Sequence, residues 1–439
     1  MTEAALAAGS EQSAADASAA RGPTAYAWLV LALTFGLLLS DYMSRQLLSA
    51  VFPLLKAEWR LSDSQLGALG GVVPLAVGVL TLPLSLLADR IGRVRSIAAM
   101  AILWSLGTLA CGLSAYFGQM MFARAMVGVG EAAYGSVGVA VVVAVFPKSM
   151  RATIVAMFTA GGVFGSALGV ASGGAIAAHE GWRWSFAVMG AIGLVLGAIY
   201  PLMVREARTT VSHSEPRAPW RQSLTFGAFR RLVATLFPSR AVTLTYLGCG
   251  LQLFVAAALI AWTPSFLNRY YAMGTGKAAA LAAGLVLTGG LGMIACGAFA
   301  DWISRKAPRR QLLVAGLYCL ASATLTTTAL LLPVGWGQIV VLGLAMAIGS
   351  GSLGPSGSVA AAGTRLAAHA SVFATLTLIM NFLGLAPGPF LTGLAADRWG
   401  LWRALQLAPI AAVAGAVMFA AAYAAWSDPD GDARPGHRP

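Results

Sequence analysis

Charge is scarce in this sequence. Asp, Glu, Lys and Arg make up 10% of its 439 residues, against 58% from the apolar set. A soluble domain carries about 25% charged residues. So thin a supply could not cover the surface of a soluble protein this size, which argues against a cytosolic enzyme. Cysteine is sparse too: Cys111, Cys249, Cys296 and Cys319 all lie in apolar runs. Neither a disulfide framework nor a metal-binding spacing is expected. The four histidines (His179, His213, His369, His437) fall in loops, a tail or a span edge. No HExxH, paired His or buried Ser/His/Asp set is visible, and no G-x-x-x-x-G-K-[ST], which argues against a membrane enzyme and an ATP-driven pump. No metal and no cofactor is called for.

What is abundant is apolar length. Twelve apolar runs can each cross about 30 Å of hydrocarbon. Their approximate limits are 27–51, 64–88, 96–116, 119–146, 151–178, 183–204, 241–267, 278–300, 311–332, 337–362, 369–396 and 402–425. Isolated strands cannot cross lipid and no ten-residue alternation suggests a barrel, so these are helices. The 51 glycines and 19 prolines are no sign of disorder, because membrane helices tolerate both. The expectation is an all-α polytopic membrane protein of twelve transmembrane helices. Residues 1–26, rich in Ala, Ser and Gly without the basic start of a signal peptide, read as a disordered tail; 427–439 read likewise.

Twelve spans put both tails on one side. With the tails inside, the inner segments hold 20 Lys and Arg and the outer loops seven. That asymmetry predicts cytoplasmic termini and accounts for most of the +13 net charge without any nucleic acid. The longest connection, 205–240, separates six spans (27–204) from six (241–426). Within it Trp220–Phe237 mixes Leu224, Phe226, Phe229 and Leu232 with Arg221, Arg230 and Arg231, as an interfacial helix on anionic lipid would.

The halves repeat. Asp89 and Asp301 are 212 residues apart, Arg151 and Arg365 are 214 apart, and Trp182 and Trp402 are 220 apart. Three landmarks at nearly one spacing indicate a parallel duplication. Such a repeat predicts two like six-helix bundles around an axis along the membrane normal, with a site between them.

These features together resemble the major facilitator superfamily. Its loop signature, roughly G-x-x-x-D-[RK]-x-G-[RK]-[RK], is matched by Asp89, Arg90, Gly92 and Arg93, with Ser85 in place of the first Gly and Val94 interrupting the basic pair. Two further segments resemble its spinster-like branch: RAMVGVGEAAY, from Arg124 to Tyr134, and DYMSR, from Asp41 to Arg45, where Ser44 replaces a common acid. The resemblance implies the major facilitator fold and a secondary transporter of lysolipid or sphingoid-type cargo. It also implies a cytoplasmic gate, in which the motif Asp caps a facing helix N-terminus of the other half. The residues for that gate are Asp89, Arg90, Gly92, Arg93 and Arg151, with Asp301, Arg305 and Arg365 in the repeat. A carboxylate at a helix start is stabilised by free N–H groups, so the device is physically sound. Antiporter-type members carry G-P-x-x-G-G in span 5, where this sequence has Val170 in place of Pro, so that motif does not support antiport.

Four charged residues lie well inside spans: Asp41, Arg45, Arg124 and Glu131. Each would cost about 2.5–3.5 kcal/mol facing lipid, so they are expected to face the bundle interior and pair. Asp41 and Arg45 share a helix face, as do Arg124 and Glu131. At about 1.5 Å rise per residue, Asp41 and Glu131 lie at similar depth, near mid-membrane. A carboxyl so placed is pulled two ways: desolvation favours its protonated form, and a nearby guanidinium its ionised form. The expectation is that Asp41 and Glu131 take up and release a proton, with Arg45 and Arg124 as counter-charges that can also bind an anionic group. Tyr134 and, from the uncharged second half, Tyr246, Gln252 and Asn381 are further cavity candidates. One charged half facing one mostly apolar half suits a small amphiphilic or anionic molecule. The reading is a proton-coupled carrier, monomeric, in a bacterial inner or cell membrane. A multidrug or organic-acid carrier, or a sensor on the same scaffold, are the alternatives.

Overall fold

The computed structural model describes residues 24–206, 237–305, 307, 309–364 and 369–426. The two tails, Arg365 and nearly all of the 220–237 segment lie outside the described residues. Among the described residues, twelve helices are long and apolar enough to span a membrane. They are α1 (Ala25–Trp59), α2 (Asp63–Ala88), α3 (Arg93–Leu113), α4 (Phe117–Val145), α5 (Thr153–His179), α6 (Trp182–Met203), α7 (Arg240–Tyr270), α8 (Thr275–Ser304), α9 (Arg310–Leu331), α10 (Trp336–Ala362), α11 (Val372–Trp399) and α12 (Leu401–Ala424). No strand occurs among the described residues. All twelve expected spans are present. The largest difference is α1, which continues past Lys56 and Glu58 to Trp59 and stops at Arg60 in the left-handed region (φ 53°).

Helices α1–α6 form one bundle and α7–α12 the other; they meet along α2–α11, α5–α8 and α1–α7. The face where α1 begins and α12 ends is called here the terminal face, the opposite one the far face. Glycine sets the closest contacts. A Cβ on Gly165 or Gly169 of α5 would strike the α1 backbone at Leu39 or Met43, so α5 lies backbone-to-backbone on α1. Small residues allow that approach where lipid offers no hydrophobic drive.

Among the described residues four helices are interrupted, α12 by a turn at Ala408 before Pro409. α4 breaks at Ala132–Ala133, immediately after Glu131, and resumes at Tyr134. α10 tightens to a 3-10 turn at Ser350–Ser352. α11 widens to a π segment at Met380–Leu385, where Ala386 N–H reaches the Asn381 carbonyl at 2.9 Å. Pro387, without an N–H, follows directly.

The apolar core shows how the bundles meet. In the far half one continuous core joins them, running from Leu47, Val51 and Phe52 to Trp262, Ala279 and Leu285. In the terminal half each bundle has its own: one around Trp104, Tyr134 and Phe158, the other around Tyr246, Cys319 and Phe419. The bundles are therefore sealed together at the far face and part toward the terminal face.

Candidate functional site

The four buried charges converge. The α1 turn from Asp41 to Arg45 brings both onto the face that meets α4, and Glu131 stands on the last turn before the α4 break. Arg45 donates from Nε (3.0 Å) and Nη2 (2.5 Å) to the same oxygen, Oε2 of Glu131. The Glu131 side chain is fully buried, whereas Arg45 keeps 16% of its side chain exposed and lies over the Tyr42 ring. Asp41 is buried beside them, one helical turn before Arg45 on α1. Asp41 Oδ1 and Glu131 Oε1 are both buried without a hydrogen-bond donor. Arg124 does something else. Its guanidinium donates to three backbone carbonyls, of Leu69 (3.3 Å), Ser44 (3.3 Å) and Arg45 (3.4 Å). It braces α1 and α2 against α4 and keeps a positive charge close to the acids without touching them.

Arg45 and Arg124 open onto a cavity of about 330 Å³ between the bundles. This is the low end of the size range of small-molecule sites. The N-terminal wall carries Tyr42, Arg45, Gln46 and Arg124; the C-terminal wall is mainly apolar, with Leu253, Val286, Met293 and Met346. Phe52 and Pro389 line the cavity; the Phe52 ring lies 5.2 Å from that of Trp262, whose indole N–H is tied to the Pro389 carbonyl at 3.0 Å.

Of the cavity candidates in the second half, Gln252 lines it, donating to Ser322 Oγ (3.2 Å) and the Gly349 carbonyl (3.3 Å). Three expected cavity residues lie elsewhere. Tyr134 packs in the N-terminal core against Trp104 (5.0 Å) and donates to the Thr34 carbonyl at 2.5 Å. Tyr246 is buried in the apolar core of the second bundle. Asn381 donates to Thr377 O one turn back (2.8 Å) and sits against Gly78 of α2, at the helix contact. Their polarity was legible, but not the side of the helix on which each stands.

The expected gate residues that the structure describes lie at the terminal face. Gly92 has φ 108° and a Cβ there would press on the Glu206 carboxylate, which accepts from Arg93 N (2.6 Å) and Val94 N (2.9 Å). The motif glycine thus serves a positive φ and a close carboxylate, and the cap of α3 comes from the end of α6. Arg90 is exposed, Arg151 is half-buried with an unpartnered Nε, and Arg305 is exposed. Asp301 accepts from Gln311 of its own bundle at 3.3 Å.

A second charged group, which the sequence reading passed over, spans the bundles at the far face. Asp63 at the start of α2 is held by Arg269 of α7 through two bonds (2.6 and 2.8 Å) and by Lys56 of α1 (2.6 Å). Asp397, at the end of α11, reaches the same turn of α2. The available signal was the string Ala396-Asp397-Arg398-Trp399-Gly400, which repeats the A-D-R-x-G of Ala88–Gly92.

Twelve helices in two bundles around a central cavity, with ionisable groups at mid-depth, define a membrane carrier architecture. The chain belongs to the Major Facilitator Superfamily, whose family model matches residues 34–356. Within it the chain is similar to proteins of the spinster type. It is 24% identical over 443 residues to the sphingosine-1-phosphate transporter of Xenopus tropicalis, covering 92% of this chain and 84% of that protein. It is 28% identical over 298 residues to a probable L-galactonate transporter of Escherichia coli K12; that match spans 65% of each, just under two thirds. Among solved structures it shares its fold with a bacterial homolog of the human lysosomal transporter Spinster, in an inward-facing, unoccupied conformation. The TM-score is 0.80 at 21% identity, over 92% of this chain and all of that one.

Proposed function

We propose that this transporter is proton-coupled and moves a small amphiphilic or anionic organic molecule by alternating access, with the terminal face in the cytoplasm. The orientation rests on the excess of Lys and Arg in the segments of that face. One observation carries the coupling: Arg45, the partly exposed member of the cluster, spends two donors on one oxygen of the fully buried Glu131. The guanidinium thus stands between the cavity and the carboxyl pair. Asp41 and Glu131 each have an oxygen lacking a donor, and one proton held between the two carboxyls supplies one. With both acids ionised, the four charges sum to zero. With one proton added, the cluster carries one positive charge, which an anionic cargo at Arg45 neutralises. Loading proton and anion together is then favoured over loading either alone.

The cargo we infer is of lysolipid or sphingoid type, with its anionic head at Arg45 and its apolar part against Leu253, Met293 and Met346. The asymmetry of the cavity walls and the likeness to the Xenopus transporter support this reading. The modest cavity volume and the likeness to the Escherichia coli transporter favour a second, a sugar acid or other organic acid. The protein is expected to act as a monomer, with no cofactor.

Proteoliposomes with an imposed pH gradient test both parts. Uptake of a labelled lysophospholipid or of a labelled sugar acid identifies the cargo class. Gradient-driven uptake should be lost in Glu131→Gln and Asp41→Asn while exchange of cargo without a gradient persists. Unaltered gradient-driven uptake in both variants would refute the coupling.

A further inference from the structure

The far-face contact of α11 with α2 has the form of a helix cap supplied by the opposite bundle. The first N–H groups of a helix have no intrahelical partner. At the start of α2, Gln65 N is taken by Ser62 Oγ (3.1 Å) and Ser62 N by Gln65 Oε1 (3.0 Å), a capping box within α2 itself. The two donors between them are satisfied from outside: Asp63 N by Asp397 Oδ1 (2.6 Å) and Ser64 N by Asp397 Oδ2 (3.0 Å). Both carboxylate oxygens of Asp397 are thus committed to the positive end of α2.

The surroundings are fitted to this contact. Gly393, one turn before Asp397, lies against the Asp63 carbonyl, where any Cβ would collide. Gly67 of α2 has the same relation to the Pro389 backbone. The Asp63 side chain, in the capped turn itself, is gripped by Arg269 from α7. α2 is therefore held by α11 through its backbone and by α7 through its side chain.

The end of α11 is built like the end of α2. Both close with A-D-R-x-G: Gly92 (φ 108°) donates to the Ala88 carbonyl at 3.0 Å, and Gly400 (φ 82°) to the Ala396 carbonyl at 2.9 Å. The two helices run in opposite directions, so the two copies stand at opposite faces.

We propose that Asp397 is the latch of the far gate: its cap on α2 forms when the far ends of the bundles close and is given up when they open. This rests on the carrier reading above only in that the two faces open in turn; it needs neither a proton nor an identified cargo. When the contact breaks, Asp63 N and Ser64 N pass to water, as does the Asp397 carboxylate, so the two states differ by a contact with a solvated alternative. Such a contact is strong enough to bias the equilibrium and weak enough to be released.

The test uses the full chain in membranes, with the four native cysteines replaced and Leu253→Cys as a reporter on the cavity wall. A membrane-impermeant maleimide is added from the far side in one preparation and from the terminal side in the other. In the parent, labelling should come from the terminal side. Asp397→Ala should raise far-side labelling about five-fold, the ratio expected of a helix cap of ordinary strength, and lower terminal-side labelling. Arg269→Gln, which acts on the same turn from the other helix, should shift labelling in the same direction, and Asp397→Glu should recover part of the parent ratio. Unchanged labelling in folded Asp397→Ala and Arg269→Gln overturns the proposal. So does labelling that rises from both sides together, the mark of a loosened helix rather than a released gate.

Discussion

Two groups of four charged side chains, each with two acids and two bases, stand at different levels of this molecule. The mid-depth group, Asp41, Arg45, Arg124 and Glu131, belongs wholly to the first bundle and leaves two carboxyl oxygens without donors. The far-face group, Lys56, Asp63, Arg269 and Asp397, joins the two bundles, and both acids have their oxygens engaged. Buried polar groups left unsatisfied are costly, and that cost is the leverage by which an added proton can be held. Groups satisfied across an interface hold the interface together. One group is thus suited to exchanging ions and the other to joining helices, although their formal charges are the same.

The largest effect should come from Glu131→Ala. Removing one partner of a buried pair strands the other, and about 3–5 kcal/mol of stability should be lost. A thermal melt in detergent checks this, and a melting temperature equal to the parent's would mean that Arg45 has another partner. Next comes Gly67→Ala at the far-face contact, where the new Cβ meets the Pro389 backbone. Overpacking of this kind costs about 1–3 kcal/mol, and here it should be paid only in the closed state, seen as a rise in far-side labelling. Gly135→Ala, with open space at the corresponding position, is the control and should leave labelling as it was. Tyr134→Phe should cost about 1 kcal/mol through its lost bond to Thr34 and leave transport kinetics intact. A changed KM would return Tyr134 to the cavity. Smallest is Lys56→Met: the lysine side chain is 37% exposed, so its pair with Asp63 should contribute below about 1 kcal/mol. Double-mutant cycles with Asp63→Asn would measure it, and a coupling larger than that of Arg269 would reverse the ranking within the far-face group.

Much of this was written in the chain. The twelve spans follow from apolar length, and the inward placement of four charges from the cost of facing lipid; that spans 1 and 4 line one cavity came from the family resemblance. Less legible were residues whose role depends on a neighbour far away in sequence. Asp63 and Asp397 sit at span edges, where an acid costs little and reads as a loop residue; only the approach of α2 to α11 gives them partners 334 residues apart. Tyr134, Tyr246 and Asn381 show the converse. A polar group in a span is conspicuous, yet Tyr134 and Tyr246 are enclosed within their own bundles and Asn381 turns to the contact with α2; rotation about the helix axis decides which.

The carboxylate of Glu206 over Gly92 has a bearing on how the protein can be divided. It finishes the end of α6 by binding the start of α3, and Ser239 in turn caps α7 through Val242 N at 3.2 Å. Each half therefore carries its own trimmed edge on either side of the long connection. Two separately translated chains, one ending beyond Glu206 and one starting before Ser239, would leave these caps untouched, and co-expression should reassemble a working pair.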